Sequence, residues 1–431
     1  MLIGLMILLV TLIIGVPIPF VFLATVIYLI FSLGYDPSFL IPYGFSKLNN
    51  TVLLAIPLFI IAGGIMRTGG IGKRIVDFTE VIVGRTKAGM GVVTIVACAI
   101  FGAMSGSAAA ALTSIGKIML PRLEEVGYSR GFATSLVSNA SVLGLLIPPS
   151  AIMILYAWVG NQSVLASFLA TVGPGIVLMI LLSIINTIYM MKKDVNKLEI
   201  PSEVVLSSRK QFRRKTIAAI PGLLMPIIVL GSIYGGIMTP TEAAAIAVIY
   251  AIPVGFWIYK EMDRKSLFKV LVEGATTTGV IMVMLYSIMI LSRIIIMEDV
   301  PNTLMGLLFT ITENPLLLML LINLFLIIIG MLMDDVSAVL LATPLLLPIV
   351  VNIGIDPIHF AAIIGVNLGL GLLTPPTAPL LYLGGRMSKA SINQMMGPTM
   401  VMLLFAWLPT LLITTYFPEV ALFLPRLLLG M

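Results

Sequence analysis

Residues 144–151 read Gly-Leu-Leu-Ile-Pro-Pro-Ser-Ala, and residues 371–378 read Gly-Leu-Leu-Thr-Pro-Pro-Thr-Ala. A further Leu-Pro step, at Pro121 or Pro348, lies 27 residues before the first proline of each pair. A spacing that recurs in two halves of one chain indicates an internal duplication. Paired interrupted helices at matching positions of two halves are typical of the binding site of a membrane transporter.

The sequence around these motifs is that of a polytopic membrane protein. Of its 431 residues 59% are hydrophobic and 10% are charged, and the mean hydropathy is +1.14. Residues 2–33 are apolar, but no Lys or Arg precedes them and two prolines interrupt them, so we predict mature membrane structure rather than a cleaved signal peptide. Further apolar runs are long enough to cross a bilayer as helices, at about 51–66, 131–158, 166–191, 216–236, 240–259, 274–297, 358–385 and 397–416.

The composition also excludes several classes of function. The single cysteine, Cys98, excludes an intrachain disulfide, and the single histidine, His359, argues against a transition-metal site or a histidine-based catalytic relay. The net charge of +6 comes from basic residues gathered in a few loops. That distribution is typical of membrane orientation rather than of nucleic-acid binding.

The basic loops predict which side of the membrane each segment faces. Residues 192–215 carry eight Lys or Arg and residues 260–269 carry four, so both loops belong in the cytoplasm. Residues 67–87 are basic and amphipathic, which predicts an interfacial helix, called the arm, on the same side. The equivalent segment 298–314 has no Lys or Arg and carries three acidic residues, which places it outside. The two halves therefore have opposite orientations.

We predict an all-α fold of two inverted repeats, residues 1–215 and 216–431. Polar breaks within residues 102–114 and 330–338 divide apolar runs, and re-entrant helical hairpins explain such breaks at membrane depth. After its scaffold helices, each repeat should contain an arm (about 67–87 and about 298–314), a hairpin (about 88–120 and about 315–350) and an interrupted helix (about 131–158 and about 358–385). The polar hairpin tips should meet near the membrane midplane.

The proline pairs predict sites for sodium ions. Pro148 and Pro149 cannot donate the hydrogen bonds that the Gly144 and Leu145 carbonyls would accept, and the second pair does the same to Gly371 and Leu372. Unpaired carbonyls of unwound helices, together with hydroxyl and amide oxygens, commonly coordinate Na⁺. We predict two or more Na⁺ ions, with ligands from Ser105, Ser107, Asn139, Ser141, Gly144 and Pro148 in the first half and from Asp334, Asn367, Gly371, Thr374 and Pro375 in the second.

Five of the polar side chains in these sets also have a structural interpretation. Ser105, Ser107 and Asp334 would cap the second helix of their hairpins by accepting hydrogen bonds from free backbone N–H groups. Asn139 and Asn367 would bridge neighbouring helices by hydrogen bonds. Capping and ion binding are compatible at the end of a helix.

One ionisable residue, Arg293, lies inside the predicted span 274–297. A charged residue in a membrane span is a functional hypothesis by default, and a planar guanidinium suits a carboxylate. We predict that Arg293 anchors the substrate. The alternatives are that it reaches the outer interface, which is about one helical turn away, or that it pairs with an acidic side chain.

Four motifs stand out in this order along the chain: Gly102-Ala-Met-Ser-Gly-Ser-Ala108, Leu146-Ile-Pro-Pro-Ser150, Gly235-Gly-Ile-Met-Thr-Pro-Thr-Glu-Ala-Ala-Ala245 and Leu373-Thr-Pro-Pro376. Together they resemble the large membrane subunit of tripartite ATP-independent periplasmic (TRAP) transporters, and the resemblance covers essentially the whole chain. It implies an elevator-type Na⁺-coupled importer of organic acids in the bacterial inner membrane. The implied partners are a small four-helix membrane subunit of the Q type and a periplasmic substrate-binding protein of the P type.

The resemblance also assigns residues and a substrate. It places substrate contacts at the hairpin tips, the Pro-Pro loops and an intramembrane arginine, that is at Ser105, Ser107, Ser150, Asp334 and Arg293. The overall pattern is most similar to the sialic acid (N-acetylneuraminate) branch, while C4-dicarboxylate permeases share most of the motifs. The short periplasmic loops agree with delivery of the substrate by another protein.

Three other functions remain as alternatives. A self-sufficient Na⁺/dicarboxylate symporter of related architecture would need no binding protein. An intramembrane serine protease is suggested by the sequence around Ser105, but the only histidine is more than 250 residues away, so we predict that the chain is not an enzyme. A passive channel fits inverted hairpins and an intramembrane arginine less well than alternating access does.

Overall fold

The structure, a computed structural model, describes residues 2–84, 88–192 and 209–431. Within these ranges it is helical throughout and contains no β-strand. In the described residues, eight helices are long and apolar enough to cross a membrane, or nine when one bent helix pair is counted as a span. The predicted all-α polytopic class is therefore confirmed. The segments 67–87 and 192–215 include four basic residues that lie outside the described ranges, namely Arg85, Lys87, Lys193 and Lys197.

The described part of the first half contains eleven helices before the gap at 193–208. They are α1 (Leu2–Ile13), α2 (Ile18–Leu33), α3 (Pro37–Leu48), α4 (Ala55–Thr68, preceded by a 3₁₀ turn at Thr51–Leu54), α5 (Ile71–Val83), α6 (Gly89–Ser105), α7 (Ala108–Glu125), α8 (Arg130–Ser141), α9 (Leu143–Leu146), α10 (Ala151–Val159) and α11 (Val164–Lys192).

The second half continues from residue 209 to the last helix. Its helices are α12 (Arg209–Tyr234), α13 (Pro240–Pro253, extended by a π-helical turn at Val254–Ile258), α14 (Arg264–Met297), α15 (Val300–Ile311), α16 (Pro315–Leu332), α17 (Asp335–Asn352), α18 (Pro357–Gly371), α19 (Pro379–Ser388), α20 (Ile392–Met402, extended by a π-helical turn at Leu403–Trp407), α21 (Leu408–Tyr416) and α22 (Glu419–Leu429).

Both repeats contain the predicted helix–break–helix elements. Helices α6 and α7 form the first hairpin, and α16 and α17 form the second. Both interrupted helices are also present, because α9 and α10 flank Pro148-Pro149 while α18 and α19 flank Pro375-Pro376. Each proline pair is joined by a cis peptide bond, and the first interrupted helix bends by 43° at its break.

The duplication is visible in the packing of four glycines. A Cβ atom built on Gly102 of α6 would lie 2.3 Å from the Cα atom of Gly144, at the start of the first proline motif. A Cβ atom built on Gly371, at the start of the second motif, would lie 2.5 Å from the Cα atom of Gly330 in α16. In both repeats the first hairpin helix thus packs backbone against backbone on the interrupted helix. Only glycine permits so close an approach.

The arms are helices, but the first begins later than predicted. Helix α4 continues to Thr68, and the pair Gly69-Gly70, with Gly70 at φ +75°, ends it before α5 starts at Ile71. Arg67 therefore belongs to the last turn of the membrane helix α4 and not to the arm. This shift of a few residues places Arg67 on a membrane helix that lines the cavity described below.

A second difference concerns α14, because the predicted span 274–297 is only the C-terminal part of a longer helix. The structure has one helix over Arg264–Met297. Asp263 caps its start by accepting the Ser266 N–H at 2.8 Å, and no proline interrupts the 34 residues. At 1.5 Å per residue the helix is about 51 Å long, well beyond the roughly 30 Å of a hydrocarbon core. It therefore runs from the basic loop through the whole membrane.

Candidate functional site

A cavity of about 740 Å³ lies where the tips of the two hairpins approach each other. The first tip contributes Ser105, Gly106 and Ser107, and the second contributes Asp334 and Asp335. The other walls come mainly from α4 and α14. The structure therefore brings together polar residues that are more than 220 positions apart in the sequence, as the repeat predicted. We call this space the central cavity.

The hydroxyl groups of the first tip are only partly used by the protein. Ser107 caps α7 by accepting the Ala110 N–H at 3.4 Å, as predicted. Ser105 does not cap a helix, because it ends α6 and Gly106 separates it from the start of α7. Within the described residues, the buried Oγ atoms of Ser105 and Ser150 have no hydrogen-bond partner. Buried polar atoms are normally satisfied, so these two oxygens are available to a ligand.

The first tip lies directly on the first Pro-Pro loop. A Cβ atom built on Gly106 would lie 2.7 Å from the Pro149 carbonyl oxygen, and Gly106 itself has φ +60°. Its left-handed backbone therefore places Ser105 beside the loop that carries Ser150. Two unpaired hydroxyl oxygens thus border one loop at the edge of the central cavity.

The second tip supplies carboxylates rather than hydroxyls. Asp334 occupies the N-cap position of α17 but accepts a hydrogen bond from the Ser337 hydroxyl, not from a backbone N–H of the first turn. The prediction that it caps through the backbone is therefore wrong. Asp335 follows it and also lines the cavity. Thr377 ties the second Pro-Pro loop to this tip by donating to the Met331 carbonyl.

We expected unpaired backbone carbonyls in the second loop, but the structure shows that they accept hydrogen bonds. The chain turns tightly after α18, so the Gly371 carbonyl accepts the Thr374 N–H at 3.0 Å and the Leu372 carbonyl accepts the Leu380 N–H at 3.4 Å. The Thr374 hydroxyl donates to the Leu370 carbonyl at 2.8 Å. The prediction of unpaired carbonyls is wrong for this half. Sodium binding by Gly371, Thr374 and Pro375 stays a prediction, since each of these oxygens retains a lone pair.

The first loop agrees better with the expectation. The Ile147 N–H donates to the Leu143 carbonyl, and Pro148 and Pro149 have no N–H to donate. The Gly144 and Leu145 carbonyls therefore lack the donors that a continuous helix would supply. Sodium binding by Gly144 and Pro148 likewise stays a prediction.

The two buried asparagines bridge helices, as their structural interpretation predicted. Asn139 accepts from the Trp407 Nε1–H at 2.9 Å. Asn367 donates to the Asn323 Oδ1 at 2.8 Å, while its own Oδ1 is buried without a partner in the part of the chain described. The Oδ1 atom of Asn367 is therefore available to an ion, whereas the Oδ1 atom of Asn139 already accepts the hydrogen bond from Trp407. Ser141 donates to the Ser138 carbonyl at 2.7 Å.

Arg293 lies away from the central cavity in this conformation. The last cavity-lining residue of α14 is Met284, nine positions earlier, which is about 13 Å along a helix. The Arg293 guanidinium instead lies over the rings of Phe39 and Tyr43 in α3, 5.9 and 5.6 Å from their centroids. No carboxylate of the described residues lies within ion-pair distance of it. Substrate anchoring by Arg293 stays a prediction.

Two charged residues of the cavity wall were missed by sequence reasoning. Arg67 of α4 and Glu273 of α14 both line the central cavity, and their side chains form an ion pair at 2.8 Å. The residues of α4 that line the cavity, Ile60, Gly63, Gly64 and Arg67, follow the spacing i, i+3, i+4, i+7 of one helix face. Extending the predicted span from residue 66 to 68 would have placed Arg67 on that face.

A second cavity of about 700 Å³ adjoins the first and shares Arg67, Thr113, Val270 and Glu273 with it. We call it the vestibule. Its other charged residues are Lys73, Lys117, Lys269 and Glu261. They belong to the end of the molecule that the basic loops assign to the cytoplasm, so the central cavity leads toward that side.

The fold and the cavity define a class. A helical protein with many membrane spans, built from two related halves whose hairpin tips enclose a polar cavity, is a membrane transporter. More specifically, the chain belongs to the DctM family, because the family described as "Tripartite ATP-independent periplasmic transporter, DctM component" matches residues 5–420. The resemblance inferred from the motifs is thereby confirmed. This is a family of transporter permeases and not of enzymes.

Known relatives show how broad the family is. The C4-dicarboxylate TRAP transporter large permease protein DctM of Pseudomonas aeruginosa is 34% identical over 89% of this chain and 88% of its own length. The sialic acid TRAP transporter large permease protein SiaM of Vibrio cholerae is 33% identical over the same shares. The isethionate TRAP transporter permease protein DctMQ of Oleidesulfovibrio alaskensis is 33% identical over 96% of this chain and 64% of its own length.

A solved structure supports the fold alone. The Alcanivorax borkumensis YdaH transporter, described as having an unusual topology, matches with a TM-score of 0.58 at 13% identity. The match covers 86% of this chain and 85% of that protein. The arrangement of helices is therefore shared with a transporter of very different sequence.

Proposed function

We propose that this chain is the large permease subunit of a Na⁺-coupled TRAP transporter that imports an organic acid. The observation that carries the proposal is the central cavity, in which the unpaired hydroxyl of Ser105 and the carboxylates of Asp334 and Asp335 converge from opposite repeats. Alternating access then consists of an elevator movement of the two hairpins and interrupted helices relative to the scaffold around α4 and α14.

Sodium is the coupling ion in this proposal. Hydroxyl, carbonyl and carboxylate oxygens suit a hard cation, and the described residues contain no cluster of His, Cys, Asp and Glu suited to a transition metal. Ser105, Ser150 and the Gly144 carbonyl contribute to one ion site beside the first Pro-Pro loop. Asp334, the free oxygen of Asn367 and Thr374 contribute to a second site in the other repeat.

The proposed assembly has three components, two of them in the bacterial inner membrane. The matched family is described as tripartite and periplasmic, and the isethionate relative is named DctMQ, which supports a small Q-type subunit as one partner. A periplasmic P-type protein delivers the substrate. The alternative function from the sequence, a self-sufficient Na⁺/dicarboxylate symporter, would transport without that protein.

For the substrate, we propose sialic acid first and a C4-dicarboxylate second. Relatives named for each are almost equally similar to this chain, at 33% and 34% identity. The test is competition in proteoliposomes that contain this chain and the small subunit, with the cognate binding protein outside. Unlabelled sialic acid is expected to inhibit uptake of labelled sialic acid completely, and succinate to have no effect. Uptake of labelled succinate without uptake of sialic acid would assign the chain to dicarboxylates.

Replacing Arg293 with Ala is expected to abolish uptake while leaving the protein folded. The reason is that a guanidinium over aromatic rings near the predicted outer end of α14 is a desolvated cation suited to a carboxylate. Arg293→Lys is the matched control, because it keeps the charge and removes the bidentate geometry. Uptake rates and melting temperatures in detergent are measured together. Near-normal uptake by Arg293→Ala would exclude an anchoring role.

A further inference from the structure

The central cavity has an uneven charge balance. Among the described residues that line it, the acidic ones are Glu273, Asp334 and Asp335, and Arg67 is the single basic one. A carboxylate that enters this space meets two hairpin carboxylates and one guanidinium, which is paired with Glu273. Sodium ions can compensate the hairpin carboxylates, but a direct partner for the substrate must come from Arg67.

Packing fixes Arg67 close to the first hairpin tip. Gly63 and Arg67 are four residues apart on one face of α4, and a Cβ atom built on Gly63 would lie 3.1 Å from the Ser105 Cβ. Side chains of a helix point toward its N-terminus, so the Arg67 side chain extends from its own turn toward the turn that contacts Ser105. The Arg67 guanidinium therefore lies in the cavity wall, about one helical turn from the first hairpin tip.

The partner of Arg67 is held by a tight contact between α4 and α14. A Cβ atom built on Gly64 would lie 2.7 Å from a Val270 methyl group, and one built on Gly274 would lie 2.7 Å from the Ile61 Cγ1. This contact places the Glu273 carboxylate 2.8 Å from the Arg67 guanidinium. The two side chains are 35% and 47% exposed, so a solute in the cavity can reach both. Both also line the vestibule.

We propose that Arg67 binds the substrate carboxylate in the inward-facing cavity and that Glu273 competes with the substrate for the same guanidinium. Each edge of a guanidinium can form two parallel hydrogen bonds with one carboxylate, so the substrate and Glu273 compete for the Arg67 edge that carries Nη2. When the Arg67–Glu273 pair forms again, it displaces the substrate toward Lys73, Lys117 and Lys269 of the vestibule. This inference rests on the proposed import of an organic acid.

The geometry of α14 separates this role from that of Arg293. Glu273 and Arg293 are 20 residues apart on one helix, which is about 30 Å. One bound substrate cannot contact both ends. Arg293 belongs to the predicted outer end of α14, and the Arg67–Glu273 pair belongs to its inner end, so the two arginines act at different stages of transport.

The test compares Glu273→Gln and Arg67→Gln with the unmodified permease in proteoliposomes, using the acid that the competition experiment identifies. Initial rates are measured against substrate concentration. Glu273→Gln frees Arg67, so KM and kcat are both expected to fall, because the substrate is held longer. Arg67→Gln removes a charged hydrogen-bonding partner, so KM is expected to rise about ten-fold.

Arg74→Gln is the matched control. Arg74 also forms an ion pair, with Glu261, and stacks on Tyr259, but it lines neither cavity in the residues described. Its KM is expected to stay unchanged. A purely structural role of the Arg67–Glu273 pair would instead lower the melting temperature in both variants and leave both KM values unchanged. That result would overturn the proposal.

A binding measurement on the purified two-subunit permease separates this proposal from the tripartite mechanism. Thermal stabilisation by the free acid is compared with stabilisation by its neutral methyl ester, in sodium and without the binding protein. The acid is expected to stabilise the unmodified permease and, more strongly, Glu273→Gln, while Arg67→Gln should respond equally weakly to acid and ester. Equal responses of the unmodified permease to acid and ester would contradict carboxylate recognition, even where uptake itself succeeds.

Discussion

Replacing Gly102 with Ala is expected to remove both the stable fold and transport. A Cβ atom at this position would lie 2.3 Å from the Gly144 Cα atom and 2.8 Å from its nitrogen. These are backbone atoms of a buried interrupted helix, so no side-chain rotation can relieve the clash. Overpacking of a buried contact costs about 1–3 kcal/mol or more. Here the displacement also moves the loop that carries Pro148, Pro149 and Ser150.

Gly279→Ala is the matched control for this prediction. It makes the same change in the middle of a helix, α14, at an exposed glycine with no heavy atom within 4 Å of the new Cβ. An alanine there is expected to be neutral or stabilising by up to about 1 kcal/mol. Melting temperatures in detergent and uptake rates are compared for both variants. Wild-type behaviour of Gly102→Ala would show that the contact between the hairpin and the interrupted helix is not required.

Replacing Asp334 with Asn is expected to reduce sodium-driven uptake strongly at physiological sodium concentrations. The carboxylate at the second tip lines the central cavity and supplies negative charge beside the proposed ion site. Affinity for a hard cation depends on the number of charged ligands. Loss of one should raise the half-saturating sodium concentration at least about ten-fold. The asparagine oxygen can still accept from Ser337, so the hairpin should keep its fold.

Asp36→Asn is the control for a change of charge without a change of site. Asp36 caps α3 on the surface by accepting the Ser38 N–H at 2.8 Å, and asparagine is an equally good cap. Its sodium dependence should equal that of the unmodified protein. The measurement is the initial uptake rate over a series of sodium concentrations at constant ionic strength. If the sodium dependence of uptake is unchanged in Asp334→Asn, the ion site does not lie at the second tip.

The architecture was predictable because local sequence patterns determine it. The repeated Pro-Pro motif, the polar breaks and the basic loops each depend on residues close together in sequence, and they gave the hairpins and interrupted helices correctly. Local hydrogen-bond chemistry also predicted the cap at Ser107 and the bridging role of Asn139. Such features need no knowledge of distant contacts.

The errors concern features that only the assembled structure determines. The fate of the Gly371 carbonyl depends on how the chain turns after α18, and the sequence of a Pro-Pro loop does not specify that turn. The cavity-facing role of Arg67 depends on a helix end set by Gly69 and Gly70 and on packing against α14, 200 residues later. A charge count alone had assigned Arg67 to the arm.

Uptake by reconstituted proteoliposomes is the most direct test of the transport function. The vesicles contain this chain and its small subunit, and labelled sialic acid is added with or without an inward Na⁺ gradient and with or without the cognate binding protein. We expect uptake only when both sodium and the binding protein are present. Equal uptake without the binding protein would contradict a tripartite mechanism and identify a self-sufficient symporter.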